Sequence, residues 1–380
     1  DSFFGPEGWA FTPYQTNRPN VRGTGNTIPG EEHKQRLRDL YFTADPDYSA
    51  RYTVPVIWDN KLKTIVNNES SEIIRFIDTC FDDFLPEEVR GITYYPEDLR
   101  REIDEIDDAI HDLLMRRAQV VELVGIAKRP DNQVVRPGRE AVILRRLAAR
   151  HTGSFPFAVV VRIWREMIST YSRLQGPFAI TVYAPEDKRG FWDVARDHYG
   201  SAVSLTAVNT PAAAIRTVAD GTATVGVVPM PEEDDHEPWW RHLMNEDAKT
   251  PRIVARLPFC GRGNARGESR DALAIALIQH EGTGDDRTLL GIELSEDVSR
   301  GRLKDALDAA GLTVVNFRSW TGRETGGGPP LHLVEVADYV VSSDPRLSAF
   351  RAKVGEIVLR VTPIGGYAVP LGLVPDIKKV

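Results

Sequence analysis

Cysteine is scarce: the chain has two in 380 residues, Cys80 and Cys260, 180 positions apart. That excludes a disulfide scaffold, a Cys-x-x-Cys redox pair and a cysteine-rich zinc site. No apolar run approaches the ~18–20 residues that cross a bilayer, so no membrane partner is expected. The opening Asp-Ser-Phe-Phe-Gly-Pro lacks the basic-then-apolar layout of a secretory signal. A first residue other than Met is expected of a trimmed or processed chain, and a reducing cytoplasm is the expected compartment. Positive charge is in deficit, with 47 Lys and Arg against 55 Asp and Glu and a net charge of −8, which argues against nucleic acid as a partner. No Ser-His-Asp or metal-ligand constellation stands out. What is present is ordinary globular composition, 42% hydrophobic and 27% charged, long enough for two or three domains.

The acidity is uneven. Residues 100–175 hold 14 Lys and Arg against 10 Asp and Glu, a local +4 inside an acidic chain. Gly5-Pro6, Arg18-Pro19 and Pro29-Gly30 punctuate the start with turns. Tyr52–Trp58 and Thr64–Val66 read as strands, Pro55 suggesting a turn or a cis bond, and Asn67–Ser70 reads as the cap of a helix through Ile73, Ile74 and Ile77. Residues 99–175 read as three helices: an apolar stripe from Ile103 to Val124 stopped at Lys128–Asn132, a second helix after Pro137, and a third from about Phe157 to Gln175 ended by Gly176-Pro177. From 177 onward strands and helices alternate, which predicts an α/β fold followed by a small α+β module. The run Pro231–Glu237 reads as a solvated acidic loop rather than a metal site.

The long helix carries the sharpest chemistry. Arg117 and Lys128 are 11 residues apart, so at ~100° per residue they point within about 20° of each other. Both fall on the stripe of Ile103, Ile106, Ile110, Leu113, Val121 and Val124. Burying an unpaired cation is costly, so the pair needs carboxylate partners or an anionic ligand. Arg100, 17 residues before Arg117, points about 260° away and suits a site in a second chain better than one in its own. A single Arg or Lys beside a helical core is commonplace, but here Arg139-Glu140 opens the second helix, and Tyr171 and Gln175 close the third on its inward face.

Leu99-Arg100, Ile103, Ile106-Asp107, Leu113-Leu114, Arg117, Gly125, Lys128, Arg139-Glu140 and the terminal Gln175 together resemble the all-helical chorismate mutases. The resemblance implies an intertwined homodimer of three-helix chains with chorismate as substrate. It implies that Arg117 and Lys128 hold the substrate carboxylates, that Arg100 reaches in from the partner chain, and that Lys128 and Gln175 bond the ether oxygen of the breaking bond. Arg139 and Glu140 would contact the ring-hydroxyl region, with Arg136 and Tyr171 lining the substrate. Arg136 departs from the family's usual Asp, and Tyr171 from a usual small residue. The reaction implied is a concerted rearrangement of a dianion. It needs no cofactor, metal or nucleophile, only a held substrate and donors aimed at the oxygen where charge grows.

Two further stretches resemble other families. Ala219–Pro229 is similar to the strand and Val-Val-Pro turn of prephenate dehydratases. However, Met230-Pro231-Glu232 stands where that family has Glu-Asn-Ser, and Asp271-Ala272-Leu273 where it has Thr-Arg-Phe. Phe317-Arg318-Ser319-Trp320 is what remains of its regulatory Glu-Ser-Arg-Pro motif. Dehydration is expected to be lost, with an aromatic amino acid as a candidate effector. Trp9-Ala-Phe11, Ala44–Ser49, Arg51–Asp59 and Ile65–Arg75 resemble the glutathionyl-hydroquinone reductases, which are glutathione-transferase-like. That resemblance implies vestigial glutathione contacts from Val54, Pro55, Glu69 and Ser70, without the family's Cys-Pro-Trp-Ala cysteine.

The expectation is therefore a multidomain chain: a partial thioredoxin-like α/β segment (1–98), an all-α three-helix chorismate mutase domain (99–176), a prephenate-dehydratase-like α/β domain (177–280) and a small regulatory-type α+β module (281–380). The leading function is chorismate mutase. A glutathione-dependent redox protein and a non-catalytic protein that binds aromatic metabolites are the alternatives.

Overall fold

The structure, a computed structural model, describes residues 3–5, 8–10, 30–31, 33–93, 96–127, 133–233, 238–261, 270–320 and 328–372. Residues 1–113 and 114–380 form two compact units, and the division falls inside one long helix. Several expectations lie outside the described residues: the turn at Arg18-Pro19, Lys128 with the helix stop at 128–132, and residues 234–237 of the acidic loop.

In the first unit, β1 (Phe3–Gly5) and β2 (Gly8–Ala10) form an antiparallel pair. Helix α1 (Leu37–Ala44) buries Leu37, Leu40 and Tyr41 against Tyr48, Tyr52, Val56, Trp58 and Ile65. The Tyr41 hydroxyl donates to the Thr53 carbonyl at 2.8 Å and accepts from Asn68 Nδ2 at 3.1 Å, so an aromatic core residue also fixes two loops. Strand β3 (Ile57–Asp59) pairs antiparallel with β4 (Thr64–Asn67). The expected strand from Tyr52 is thus only its last part. Pro55 has no N–H for a ladder, and the Val54–Pro55 bond is cis. Helix α2 (Ser70–Cys80) follows, capped by Glu69, whose carboxylate accepts from Ser71 N. The long helix α3 (Glu97–Ala127) begins in this unit.

In the second unit, α4 (Pro137–Arg150) and α5 (Phe157–Gln175) match the two predicted helices. Pro137 sits at the first helical position, where its missing N–H costs nothing. Then come β5 (Ala179–Tyr183), α6 (Gly190–Tyr199), β6 (Ser204–Val208), α7 (Pro211–Ala219) and β7 (Val225–Pro229). They are followed by β8 (Arg252–Leu257), β9 (Ala272–Ala276), β10 (Asp286–Leu294), α8 (Arg300–Ala309), β11 (Val314–Trp320), β12 (Leu331–Val336), α9 (Pro345–Val354) and β13 (Val358–Ala368).

Among the described residues nine strands make one sheet, in the order β11-β12-β10-β13-β8-β9-β7-β5-β6. β5 lies parallel to β6 and β7, as the intervening helices α6 and α7 require. The remaining ladders are antiparallel except β13 beside β8. The segments that sequence divides at residue 280 share this sheet. One face carries α6 over Ile180, Val182, Val225 and Val227, and the other carries α7 and the turn Trp239–Met244 over Val228, Leu273, Ile275 and Tyr367. Helices α8 and α9 cover Leu290, Ile292, Val334 and Val336. Each of these side chains contributes about 1.5–3 kcal/mol on burial. Helices α4 and α5 pack Ala141, Leu144, Phe157 and Val161 against Phe259 and Ala368.

The apolar stripe of α3 does not form a core in the single chain. No residue of that helix is buried, and Ile103, Ile106 and Ile110 are 58%, 51% and 50% exposed.

Candidate active site

Helix α5 has two working faces. Phe157, Val161, Arg165 and Ser169, spaced by four, are buried and face inward. Met167, Tyr171 and Gln175, also spaced by four, lie along a second row. On that row the Arg117 guanidinium of α3 rests 4.7 Å from the centre of the Tyr171 ring and reaches Met167 Sδ at 4.0 Å. The Tyr171 hydroxyl donates to the Leu114 carbonyl at 3.0 Å, which holds the ring under the cation. Gln175 donates from Nε2 to the Tyr171 carbonyl at 3.3 Å. Its Oε1 is buried without a hydrogen-bond partner among the described residues. Gly125 packs against the Gln175 side chain, where an added Cβ would lie 3.4 Å from Gln175 Cγ. Along one row of α5, Tyr171 therefore carries Arg117 and Gln175, one turn on, faces Gly125. Arg117 is half-buried rather than sealed in.

Among the described residues, the remaining site residues named from sequence are not seen in contact with Arg117, Tyr171 or Gln175. Arg136 stands at the N-terminal boundary of α4 without a capping bond, and its guanidinium pairs with Glu281 at 2.6 Å. Arg139 is exposed. Glu140 accepts from Arg165 Nη1 at 2.5 Å, with side chains 14% and 5% exposed. Arg100 lies in the first unit and has Glu97 at 3.8 Å. Lys128 is outside the described residues. Val54, Pro55, Glu69 and Ser70 are all exposed. A hydrogen bond from Asn68 Nδ2 to Thr53 Oγ1 at 3.2 Å brings their two loops side by side, but Glu69 spends its carboxylate on the α2 cap.

Arg165 escaped the sequence reading. Its signal was present: an Arg four residues after Val161 and four before Ser169 sits on an inward face. Burial pushes its guanidinium below the ordinary arginine range, and the Glu140 carboxylate opposes that shift. Burial, reinforced by the same guanidinium, holds His198 well below the usual imidazole value. The Tyr199 hydroxyl is raised mainly by burial. Arg165 also lies over the Phe259 ring at 5.6 Å. Next to it, burial raises the Cys260 thiol, which makes that residue a packing group rather than a thiolate nucleophile. Among the described residues no cluster of three His, Cys, Asp or Glu could hold a metal, and no helix is long and apolar enough to cross a membrane.

Comparison with known proteins divides the chain. Residues 99–176 match the family model for chorismate mutase type II. A bifunctional chorismate mutase/prephenate dehydratase of Pseudomonas aeruginosa is 32% identical over 143 residues, which cover 35% of this chain and 38% of that protein. A glutathionyl-hydroquinone reductase of Sphingobium chlorophenolicum is 38% identical over 116 residues, covering 30% of this chain and 33% of that protein. A crystallised prephenate dehydratase of Streptococcus mutans aligns with 52% of this chain and all of its own, at 14% identity and a TM-score of 0.36. The chain spans about a third of the length of these curated relatives.

Proposed function

We propose that this chain is a chorismate mutase: a cofactor-free isomerase that rearranges chorismate to prephenate, with its active site in residues 99–176. The observation that carries the reading is the row of α5 on which Tyr171 carries the half-buried Arg117 guanidinium and Gln175, one turn on, holds a buried amide oxygen without a partner among the described residues. Arg117 binds a substrate carboxylate. Lys128 lies outside the described residues; its eleven-residue spacing from Arg117 in the sequence suits the same helical face, and it binds the second carboxylate and the ether oxygen. Gln175 turns its amide towards that oxygen as negative charge develops there. The protein supplies no covalent chemistry; it holds the enolpyruvyl arm over the ring and stabilises the separating charge.

The exposed stripe of α3 supports a homodimer in which a second copy covers Ile103, Ile106 and Ile110 and donates Arg100 of the partner subunit to the site. The domain limit expected at 280 falls within one continuous sheet, but limits at 98 and 176 and a cytoplasmic location belong to the same proposal. So does loss of dehydratase activity, which is supported by Met230-Pro231-Glu232 and by Asp271, whose carboxylate is occupied by Arg256 at 2.6 Å. An aromatic amino acid effector would bind within residues 177–380.

The test is the fall in chorismate absorbance with no cofactor added. Lys128→Ala should remove this activity almost wholly, at least a hundredfold in kcat/KM, while Arg101→Ala changes it less than twofold. Equal losses would refute the assigned helix face. Native mass should be that of a dimer.

A further inference from the structure

The loop between β9 and β10, residues 277–285, does more than join two strands. Helix α4 grips it at two points. At the N-terminal boundary of the helix, Arg136 Nε donates to Glu281 Oε1 at 2.6 Å. The buried Gly138 lets helix and loop come close, since a Cβ there would lie 2.7 Å from Glu281 Cβ. About two and a half turns further on, Arg145 spreads its guanidinium over three acceptors. Its Nη1 donates to Thr283 Oγ1 at 2.7 Å, and its Nη2 to the Asp285 carbonyl at 2.7 Å and the Val369 carbonyl at 2.9 Å. These bonds are the polar part of the α4 seat; the apolar part is Ala141 and Leu144 against Phe259 and Ala368.

The loop takes its shape from one buried carboxylate. Asp286, the first residue of β10, accepts from Thr283 N at 2.6 Å, Gly284 N at 3.0 Å and Thr283 Oγ1 at 2.8 Å. The hydroxyl that receives Arg145 is therefore itself aimed by Asp286. Beside that carboxylate lies the buried His280, its ring edge-on to Tyr339 at 5.0 Å. Gly366 of β13 passes so near that a Cβ there would lie 2.7 Å from His280 Nδ1. His280 Nε2 is buried without a hydrogen-bond partner among the described residues and stands 3.5 Å from Asp286 Oδ1. Asp286 and Glu281 are the charges that act on the ring, and burial outweighs both, holding the imidazole below its usual value. The turn after β12 presents the neutral Tyr339, β13 presents Gly366, and the arginines of α4 are engaged as described.

We propose that residues 277–286 form an acid-released latch on α4: with His280 neutral the loop stays closed and holds Arg136 and Arg145, and a proton on His280 opens it and leaves α4 on its apolar seat alone. A buried imidazolium has to be compensated. The carboxylate beside it already uses both oxygens to shape the loop, so compensation and loop shape compete. Gly282, Gly284 and Asp285 are exposed, and exposed loops open at lower free energy than the core around them. The closed loop holds His280 below the ordinary 6.5, so closure is fully favoured above pH 6.5 and weakens as pH falls below it. The latch shares no residue with the row of Arg117, Tyr171 and Gln175, so it stands independently of the isomerase reading.

The experiment is hydrogen–deuterium exchange of the full chain at pH 7 and pH 5, read by mass spectrometry and corrected for the intrinsic rate at each pH. Peptides from 277–286 and 137–150 should lose protection at least threefold at pH 5. His280→Gln should bring that loss below twofold in both peptides and leave the buried strands β7 and β9 responding to pH as in the parent. His280→Phe gives the same reading should the glutamine variant not fold. Arg145→Gln, which cuts the grip without touching His280, should lower protection of 277–286 already at pH 7. Protection in the parent that ignores pH, an undiminished loss in the His280 variants, or an effect of those variants spread equally over the strands would overturn the proposal.

Discussion

Tyr171 does two jobs at the scale of the residue. Its hydroxyl is tied to the Leu114 carbonyl, and its ring face carries the Arg117 guanidinium. A cation stacked on a ring keeps its N–H edge available for a carboxylate, so Tyr171 makes a platform rather than a plug. Glu140 behaves differently: the buried Arg165 claims it, and removing either partner would leave an uncompensated charge in the interior. His332 shows a third behaviour. It is 1% exposed, bonded through Nδ1 to Ser319 Oγ at 2.8 Å, and its Nε2 has no hydrogen-bond partner among the described residues. Burial lowers it from 6.5 to about 4. Between those values the unfolded chain holds a proton that the folded chain refuses. Stability from this group is therefore intact above pH 6.5 and falls as pH drops towards 4, by about 3 kcal/mol in all. His198 and His280 shift in the same direction. Urea denaturation at pH 7 and pH 5 should show a clear loss of stability at the lower pH, and His332→Asn should make that loss smaller. An unchanged difference would assign it to other groups.

Helix α3 sets the question at the scale of the element. Its periodicity demands a buried stripe, yet Ile103, Ile106 and Ile110 stand in solvent in the single chain. A row of isoleucines along one face of a 31-residue helix is more apolar surface than scattered exposure accounts for. A second copy of the same helix is the partner its length and pattern suit. Ile106→Glu should then halve the native mass measured by light scattering and lower chorismate turnover at least tenfold, while helix content stays the same. A dimer that survives the charge would place the interface elsewhere. Helix α5 meets the opposite circumstance, because both its rows are spoken for: one by α4 and the sheet, the other by Arg117.

On the scale of the whole second unit, continuity of the sheet rests on one close approach. Gly365 lies opposite Ile253 where β13 runs beside β8, and its φ is +119°. A Cβ there would come within 2.2 Å of the Ile253 carbonyl oxygen, so the position demands glycine on two grounds. Gly365→Ala should cost roughly 2–4 kcal/mol, visible as a fall of several degrees in Tm. A variant as stable as the parent would mean that the two strands can part without consequence.

Much of this was legible in the residues alone. The limits of α4 and α5 follow from Pro137 and from Gly176-Pro177, and the buried strands β7, β9 and β10 from their apolar runs, because these are local properties of the backbone and of side-chain period. Helical spacing put Tyr171 and Gln175 on one inward row of the third helix, while a shared site with Arg117 was implied only by the family resemblance. The strand β8 and the long β13 were not legible: Arg252, Arg256 and Arg360 interrupt their apolar pattern, Arg252 being taken up by the Leu243 carbonyl, Arg256 by Asp271 and Arg360 by Glu293, 67 residues away. The pairing of Glu140 with Arg165, the passage of one sheet across residue 280 and the grip of Arg145 on the loop before β10 likewise belong to tertiary structure. Local sequence sets which face of an element is apolar and where it stops. Which charges meet, and at what depth, depends on chain segments up to a hundred residues or more away, and only packing brings those together.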